Sequence, residues 1–518
     1  MPVADKIIGL DEMVQRVEEL KKAGRIVVQS HGVFDLIHPG IISHLNEAKG
    51  IGDVLVVTVI QDADVRRGPG RPVFPDRLRA ENVASLEMVD MVAIVPEDIP
   101  FECVKRINPS FFAKGHDHKQ RDKHIHDKIF ETERHLYFGR TQIFETRGVS
   151  FSSTQYISNN WDGYPDETKQ YLHRMAERHG FEDIAAAVNS LSGARTLIIG
   201  DGIIDEYHYC TAMGRAGKSN LVVNKYLTHE RFAGGVFAIA NHVACICDHV
   251  RLVTVLGQDD PDEEFVSTSL KSNIQADFFH RADGPTIIKK RYLDIHSNQK
   301  VFEVNYLNER DIDADCEDAV VRHLVEVLPE YDVVLVSDFG HGFISPRIIR
   351  TLEEHAKLLC VNTQTNAANT GFNMVTKYSA PHFICLDEPE ARLAMQNRFG
   401  DITDVLQSLA AAVPAREVII TLGKKGSVGM SQGGAPRFTP IFSSRVVDTI
   451  GAGDAVFSYA AICFACGLPL ELIQFIGNVV GALAVQIVCN KKSVEKHELL
   501  QFISVILQRK DPTPSGAA

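Results

Sequence analysis

The chain has 518 residues, a formal net charge of −13 at pH 7 and 45% hydrophobic residues. This length exceeds what a single hydrophobic core usually holds, so we expect two domains. The negative charge argues against a protein that binds nucleic acid, because such a protein normally carries a basic stripe.

The N-terminal segment predicts a helix. Residues 1–24 have the pattern of an amphipathic helix, with apolar residues at helical spacing between 11 and 22. A signal peptide would instead show a basic stretch followed by an apolar one. We therefore expect the protein to stay in the cytoplasm.

A strand, a loop and a helix follow. Residues 25–29 predict a strand that leads into H-G-V-F-D-L-I-H-P-G at 31–40, and the pattern continues with a helix at 41–49 and a buried strand at 53–60. In α/β sheets ligands bind at the carboxyl ends of strands, and a helix N-terminus suits a phosphate. The loop is therefore a candidate phosphate site.

This loop resembles the G-x-F-D-x-x-H-x-G-H motif of the cytidylyltransferase-like nucleotidyltransferases, especially the domain of the bifunctional heptose kinase and adenylyltransferases. A basic loop at 67–72, Arg79, K-G-H-D at 114–117 and S-S-T at 152–154 match in the same order. The resemblance implies a Rossmann-like nucleotidyltransferase domain over residues 1–161, with His38 facing the phosphates. The residues implied to contact nucleotide or phosphate are Val33, Phe34, Asp35, Gly40, Arg67, Lys114, Asp117, Ser153 and Thr154.

One position departs from this motif. Ile41 stands where the family has its second histidine, and removing one preorganised donor costs about 3 kcal/mol of transition-state stabilisation. His44 lies three residues later, about 4.5 Å farther along the helix axis, so we do not expect it to replace the missing imidazole. Two interpretations stay open: a working nucleotidyltransferase that uses ATP or CTP, or a nucleotide-binding or regulatory domain without catalysis.

The next two segments are read as connections. Residues 116–135 contain five histidines among charged residues, which we interpret as a solvated insertion rather than a metal site. Residues 162–194 combine Gly163, Pro165, charged residues and a helical stretch. They predict a helical linker before a second domain over residues 195–518.

The second domain contains D-T-I-G-A-G-D at 448–454. Its glycines let the backbone approach a phosphate closely, and the first turn of the following helix offers N–H donors at the positive end of the helix dipole. Asp454 stands where a carboxylate can accept the proton of an attacking sugar hydroxyl. The pattern predicts a phosphoryl-transfer site with Asp454 as base and Gly451, Ala452 and Gly453 as anion hole.

The same segment resembles the signature of the ribokinase-like sugar kinases. Over residues 196–510 the chain also matches in order at G-D-G-I-I-D (200–205), A-G-G (233–235), D-E-P-E (387–390) and T-L-G-K-K-G (421–426). The resemblance implies an α/β/α sandwich that uses ATP and Mg²⁺. It leaves open whether a monovalent cation is also needed. The implied sugar contacts are Asp201, Asp205, Gly234 and Gly235. The implied nucleotide contacts are Thr421, Gly423, Gly426, Asp387 and Glu390, of which Glu390 also supports Mg²⁺ indirectly.

Two kinase positions are altered. Ala238 stands where heptose-kinase relatives carry Asn, and Asp387 where the family has Asn. Losing a donor to a sugar hydroxyl changes which sugar is accepted more readily than it abolishes transfer. We therefore expect a bifunctional enzyme of activated-sugar synthesis whose partners are a sugar phosphate and a nucleoside triphosphate. The resemblance also implies a homodimer formed through lid strands at 222–231 or 286–303.

The longest apolar stretch, 455–470, is short for a membrane span and contains Pro469, so it predicts a core helix and no membrane association. Within it Cys463 and Cys466 form a C-x-x-C spacing. Because no second pair completes a zinc site, we expect buried free thiols.

Overall fold

The structure is a computed structural model, and it describes residues 2–65, 72–96, 101–114, 141–146, 164–259, 262–297, 299–367, 369–443 and 446–507. The chain forms two compact units, one comprising Met1–Phe181 with His497–Ala518 and the other Glu182–Lys496. The predicted linker, 162–194, is divided between these units. Four predicted site residues, Arg67, Asp117, Ser153 and Thr154, and the histidine-rich segment lie outside the described residues.

The first unit contains a five-stranded parallel sheet in the order β3-β2-β1-β4-β5. Its elements are α1 (Val3–Lys6), α2 (Leu10–Lys22), β1 (Val27–Gly32), α3 (Pro39–Gly50), β2 (Val54–Ile60), α4 (Asp76–Ala84), β3 (Met91–Val95), α5 (Phe101–Ile107), β4 (Phe111–Lys114), β5 (Gln142–Glu145) and α6 (Asp166–Arg178). The strand order reverses between β1 and β4, and the crevice at such a reversal is the usual ligand site of an open α/β sheet. The predicted Rossmann-like arrangement is confirmed.

The N-terminal segment differs from its prediction. Instead of one helix over residues 1–24 there are two, because Ile7 is extended and pairs with Val92 before Gly9 caps α2. The predicted helix at 11–22 is confirmed as α2. The predicted buried strand at 53–60 is confirmed as β2, whose seven residues are all buried.

The second unit is a larger α/β domain. Its elements are α7 (Phe181–Ser190), β6 (Arg195–Gly200), β7 (Gly202–Arg215), β8 (Val222–Gly235), α8 (Val236–Ala244), β9 (His249–Gly257), α9 (Glu263–Ser269), β10 (Ile274–Arg281), β11 (Ile287–Asp294), β12 (Lys300–Tyr306), α10 (Ala314–Val327), β13 (Val333–Asp338), α11 (Pro346–His355), β14 (Leu359–Thr363), β15 (Phe383–Asp387), α12 (Glu388–Ala394), α13 (Ile402–Ala412), β16 (Glu417–Thr421), β17 (Ser427–Ser431), β18 (Arg437–Thr439), α14 (Ala452–Ala465) and α15 (Leu470–Ala484). A last helix, α16 (Lys496–Leu507), belongs to the first unit from His497 onward.

The main sheet of the second unit has nine strands in the order β10-β9-β6-β13-β14-β15-β16-β17-β18. The strands are parallel from β10 to β16, and the last two are antiparallel. Every residue of β13 and β14 is buried, which is the pattern of strands covered on both faces. Because these central strands are parallel, their carboxyl ends lie at the same edge of the sheet, where a site can form.

A separate four-stranded sheet in the order β12-β11-β7-β8, which we call the lid sheet, contains both segments predicted as lid strands. Its strands β7 and β8 form a long hairpin of 14 residues each. The sheet exposes large apolar side chains, among them Met213, Val222, Tyr226, Val301, Phe302, Val304 and Tyr306.

The predicted core helix at 455–470 is confirmed as far as Ala465 by α14, which is buried along most of its length, while residues 466–469 form the turn that leads into α15. In the part of the chain that the structure describes, no helix is long and apolar enough to cross a bilayer. All ten cysteines are free, including Cys463, which is buried, and Cys466, which is half-buried.

Candidate functional site

A cavity of about 270 Å³ lies in the second unit between the carboxyl ends of the central strands and the lid sheet. Strand ends deliver polar side chains to it, and the turn before α14 forms part of its wall. The predicted residues that line it are Asp205, Gly235, Asp387, Glu390, Thr421, Gly451, Gly453 and Asp454. Residues far apart in sequence are thus brought into one site.

Asp454 lies in the first turn of α14 and is only 7% exposed. Its Oδ1 accepts a hydrogen bond of 2.5 Å from Nε2 of Gln364, which also donates to Asn362. Burial raises the pKa of Asp454 to about 6, with a further increase from Asp205, while Gln364 and Lys289 oppose the shift. A carboxyl with this pKa is ionised at pH 7 yet basic enough to accept a proton.

The turn before α14 is built around Gly451, which has φ 81° and forms the N-cap of the helix. A Cβ at this position would lie 2.1 Å from Oδ1 of Asn490, which would have to move, and the positive φ strains any other residue, so the position favours glycine. The N–H of Ala455 makes the first helical bond, to the carbonyl of Gly451. The amides of Gly453 and Asp454 therefore have no intrahelical acceptor and can serve an anion.

The lid sheet provides the opposite wall. Asp205 on β7 forms an ion pair with Arg291 on β11, which also pairs with Glu303 at 2.6 Å. Gly234 leaves room for this carboxylate, because a Cβ there would lie 2.1 Å from Oδ2 of Asp205. Lys289 also faces the cavity and is 9% exposed.

At the other end of the cavity, Asp387 caps α12 and forms a capping box with Glu390. The Glu390 carboxylate accepts the amides of Thr365 at 3.2 Å and Asp387 at 3.1 Å. Burial, then the charge of Asp387, raise the pKa of Glu390. Because Mg²⁺ binds through few carboxylates and retains several waters, this pair fits an ion held through water rather than one enclosed by protein.

No group of three or more His, Cys, Asp or Glu suited to a metal occurs among the described residues. Thr421 ends β16 beside Asp387, in register with it. Together with Glu390, they form the end of the cavity at which the nucleotide contacts are expected from the sequence.

Some predicted site residues lie outside the cavity wall. Asp201 is buried, and its Oδ2 accepts the amides of Phe339 at 2.9 Å and His341 at 3.4 Å. These bonds give Asp201 a structural role, and its contact with sugar stays a prediction. The other kinase residues of the predicted site that do not line the cavity are Gly234, Gly423, Gly426 and Ala452.

Several cavity residues escaped the sequence analysis. Gln364 follows β14 within the polar run N-T-Q-T-N at 362–366, and such a run at the end of a buried strand was a usable signal. Lys289 and Arg291 alternate along β11, but nothing in the sequence says which face of that strand is the inner one. Asn490 reaches the turn at Gly451 only through tertiary packing.

In the first unit the predicted motif surrounds the start of α3. His38 is the N-cap of this helix, and Phe34 has φ 50°. The buried carboxylate of Asp35 accepts the amides of Val73 and Phe74 at 2.9 to 3.0 Å. Asp35 therefore holds the segment that follows the predicted phosphate loop.

The structure shows what the side chains of Ile41 and His44 contact. Ile41 is partly buried against the apolar core. His44 is engaged through both ring nitrogens, to Ser30 Oγ at 2.8 Å and to Thr146 Oγ1 at 2.8 Å, and burial lowers its pKa. A neutral imidazole that makes hydrogen bonds to two hydroxyls supports the expectation that His44 does not replace the missing histidine, which stays a prediction.

Comparison with protein families matches residues 197–493 to the pfkB family carbohydrate kinases and residues 30–159 to the cytidylyltransferase-like domain. The bifunctional protein HldE of Rhodopseudomonas palustris strain HaA2 is 44% identical over 128 residues, which are 24% of this chain and 26% of that protein. HldE of Pectobacterium atrosepticum is 25% identical over 294 residues, 56% of this chain and 60% of that protein. The chain thus spans about a quarter to three fifths of the length of these relatives.

Among solved structures, Arabidopsis thaliana ribokinase complexed with ribose and ATP aligns with 60% of this chain and 99% of that chain, at 17% identity and a TM-score of 0.48. The kinase family model alone covers more than half of the 518 residues. The chain therefore belongs to the pfkB family of carbohydrate kinases, with a cytidylyltransferase-like domain preceding the kinase domain.

Proposed function

We propose that the protein is a bifunctional enzyme of activated-sugar synthesis. The kinase domain phosphorylates a heptose-like sugar or sugar phosphate with ATP, and the N-terminal domain transfers a nucleotidyl group to a sugar 1-phosphate. The observation that carries the kinase function is the buried carboxylate of Asp454, which lies in the first turn of α14 and lines the cavity. The comparisons with HldE proteins support the pairing of the two activities.

In the kinase reaction Asp454 accepts the proton of the attacking hydroxyl while Gln364 orients its carboxylate. The amides at the start of α14 stabilise negative charge on the transferred phosphoryl group. Thr421, Asp387 and Glu390 form the nucleotide end of the cavity. Mg²⁺, when bound with the nucleotide, neutralises charge on its phosphates.

The lid side of the cavity favours a sugar that already carries a phosphate. Among the described residues, none forms a hydrogen bond or ion pair with the ammonium of Lys289, which lies 5.7 Å from the centroid of the Phe339 ring. Burial, with the charge of Arg291, lowers the pKa of Lys289 more than the charges of Asp205, Glu303 and Asp201 raise it, so its charged form lacks full compensation. An anionic group on the acceptor would supply that compensation.

Replacing Lys289 tests this acceptor. Lys289→Met should raise KM for a sugar phosphate about a hundredfold, because it removes a charged hydrogen bond, and leave KM for ATP unchanged. Lys290→Met is the matched control, since the neighbouring Lys290 points to the other face of β11 and pairs with Glu206. Equal kinetics for both variants would rule out a phosphate contact at Lys289.

In the N-terminal domain the sugar phosphate oxygen would attack the α-phosphate of the nucleotide directly. His38 at the start of α3, Lys114 at the end of β4 and Arg67 would stabilise charge as pyrophosphate leaves. Strand β1 leads into the loop that contains His38, and β4 ends at Lys114. The strand order reverses between these two strands, and the crevice at such a reversal is the usual ligand site.

A second candidate function applies to this domain: a nucleotide-binding or regulatory domain that has lost catalysis. Ile41 and the engaged ring of His44 favour it. Ile41→His should then raise pyrophosphate release by two to three powers of ten, about the contribution of one such donor. An enzyme that is already active and gains nothing from the substitution would exclude the regulatory interpretation.

The decisive experiment incubates the protein with Mg²⁺, ATP, CTP and a pool of sugar phosphates, heptose phosphates included, and identifies products by mass spectrometry. A nucleotide-linked sugar supports both activities, and a phosphorylated sugar with ADP but no pyrophosphate supports the kinase alone.

Asp454→Asn should lower ADP formation by about a thousandfold and leave ATP binding intact. Retained turnover would remove Asp454 from the role of base. Repeating the reaction with and without K⁺ decides whether a monovalent cation is needed.

A further inference from the structure

Asp448 opens the glycine turn before α14 and is only 9% exposed. Two backbone amides donate to its carboxylate. The N–H of Ile450 lies 3.2 Å from Oδ1, and the N–H of Cys489 lies 3.1 Å from Oδ2. Cys489 precedes Asn490, whose side chain packs against Gly451, so Asp448 holds both backbone segments that shape the turn.

The other two hydrogen bonds to Asp448 come from the lid sheet. Tyr207 on β7 donates its hydroxyl to Oδ2 at 2.8 Å. Lys300 at the start of β12 donates to Oδ1 at 2.8 Å, and its ammonium lies 5.5 Å from the centroid of the Tyr207 ring. One carboxylate thus connects two lid strands with the turn.

The same lid strands carry the acceptor side of the cavity. Asp205 lies two residues before Tyr207, on the same face of β7. Arg291, which pairs with Asp205, lies 6.0 Å from the Tyr207 ring and also pairs with Glu303 on β12. A chain of contacts therefore runs from the residue predicted to bind the sugar to the turn predicted to bind the phosphoryl group.

We propose that Lys300 and Tyr207 are positioning residues that set the geometry of the glycine turn through Asp448, so that phosphoryl transfer depends on the lid sheet. The inference rests on the proposed kinase function. A small displacement of the turn misaligns the first amides of α14 with the phosphoryl group, and misplacement of about 1 Å costs on the order of a hundredfold in rate.

The ionic state of Asp448 suits this role. Burial opposes its ionisation, but hydrogen bonds from Lys300, Ile450 and Tyr207 outweigh burial and lower its pKa. Asp448 therefore stays a carboxylate across the physiological pH range. Without Lys300, the buried carboxylate loses its cation while keeping its backbone donors.

Steady-state kinetics test the proposal. Lys300→Met should lower kcat about tenfold to a hundredfold with KM for ATP within about twofold, and Lys300→Arg should recover most of the loss. Tyr207→Phe should lower kcat by a smaller factor, since the cation remains. Lys290→Met is the control, because it breaks a lysine–glutamate pair on the other face of the lid sheet without reaching Asp448.

Hydrogen exchange of the turn provides a measurement that does not depend on turnover. Lys300→Met should speed amide exchange at residues 449–453 and 489, and Lys290→Met should not. Unchanged exchange together with unchanged kcat would overturn the proposal, as would equal losses of kcat in both variants. If the wild-type protein phosphorylates no sugar yet exchange still responds to Lys300, the kinase function fails while the positioning of the turn by Lys300 stands.

Discussion

At the scale of single residues, the pKa of Asp454 makes the kinase reaction depend on pH. Burial raises this pKa to about 6, and a base works only in its ionised form. We expect kcat/KM for the sugar, which reports the ionisation of the free enzyme, to be constant at neutral pH and to fall about tenfold for each pH unit below about 6. The measurement is the pH profile of kcat/KM for the sugar.

Gln364 supplies the internal control for this profile. Its hydrogen bond favours the charged form of Asp454, so Gln364→Leu should move the break in the profile to higher pH. Asp205 and Lys289 act on the same carboxylate with opposite signs and remain in place. A break that does not move would show that another group controls the profile.

The residues that spacing alone predicts are those that lie close together along the chain, whereas site residues on other elements, such as Asp205 and Glu390, were expected only from the family resemblance. Gly451, Gly453 and Asp454 belong to one turn, so their spacing alone predicts an anion site with a base beside it. Gln364 and Lys289 join that site only through the order of strands and the face of β11 that turns inward. A single sequence holds no such information, which is why these residues were missed.

At the scale of elements, one buried guanidinium organises the start of the N-terminal domain. Arg79 of α4 is fully buried and donates to the carbonyls of Val33, Phe74 and Ile60 and to the carboxylate of Asp62. The sequence analysis treated Arg79 only as a family match. In the structure it joins a helix to the ends of two strands.

Replacing Arg79 should therefore destabilise the N-terminal domain. Arg79→Met removes the donor from two buried carbonyls and one partly buried carbonyl, and we expect a loss of about 3 kcal/mol in the free energy of unfolding. The measurement is urea unfolding followed by circular dichroism, with the kinase reaction as a check on the second unit. Arg77→Met, an exposed residue of the same helix paired with Glu81, should change stability by less than about 0.5 kcal/mol. Similar losses in both variants would contradict the role of Arg79.

The strands of both main sheets, but not the order in which they pair, follow patterns that the sequence shows, because buried parallel strands are continuous apolar runs between glycine-rich loops. The break between α1 and α2 was not predicted. It arises from the pairing of Ile7 with Val92, a contact between residues distant in sequence.

At the scale of the whole molecule, the lid sheet bears on assembly. We expect a homodimer in which this sheet meets its copy, because Tyr226, Phe302 and Tyr306 are about half exposed on it. Phe302→Asp should shift the protein toward the mass of a single chain in sedimentation velocity. Phe399→Asp, at an exposed position outside the lid sheet, is the control. A wild-type protein that sediments as a monomer would contradict this expectation.

The first unit is discontinuous in sequence, and this affects the order in which the two units are completed during synthesis. Residues 1–181 are synthesised before the kinase unit, yet their unit also includes residues 497–518, which are synthesised after it. The kinase unit, residues 182–496, is contiguous and can fold while the earlier segment still lacks α16. Translation thus completes the two units in the reverse of the order in which they begin.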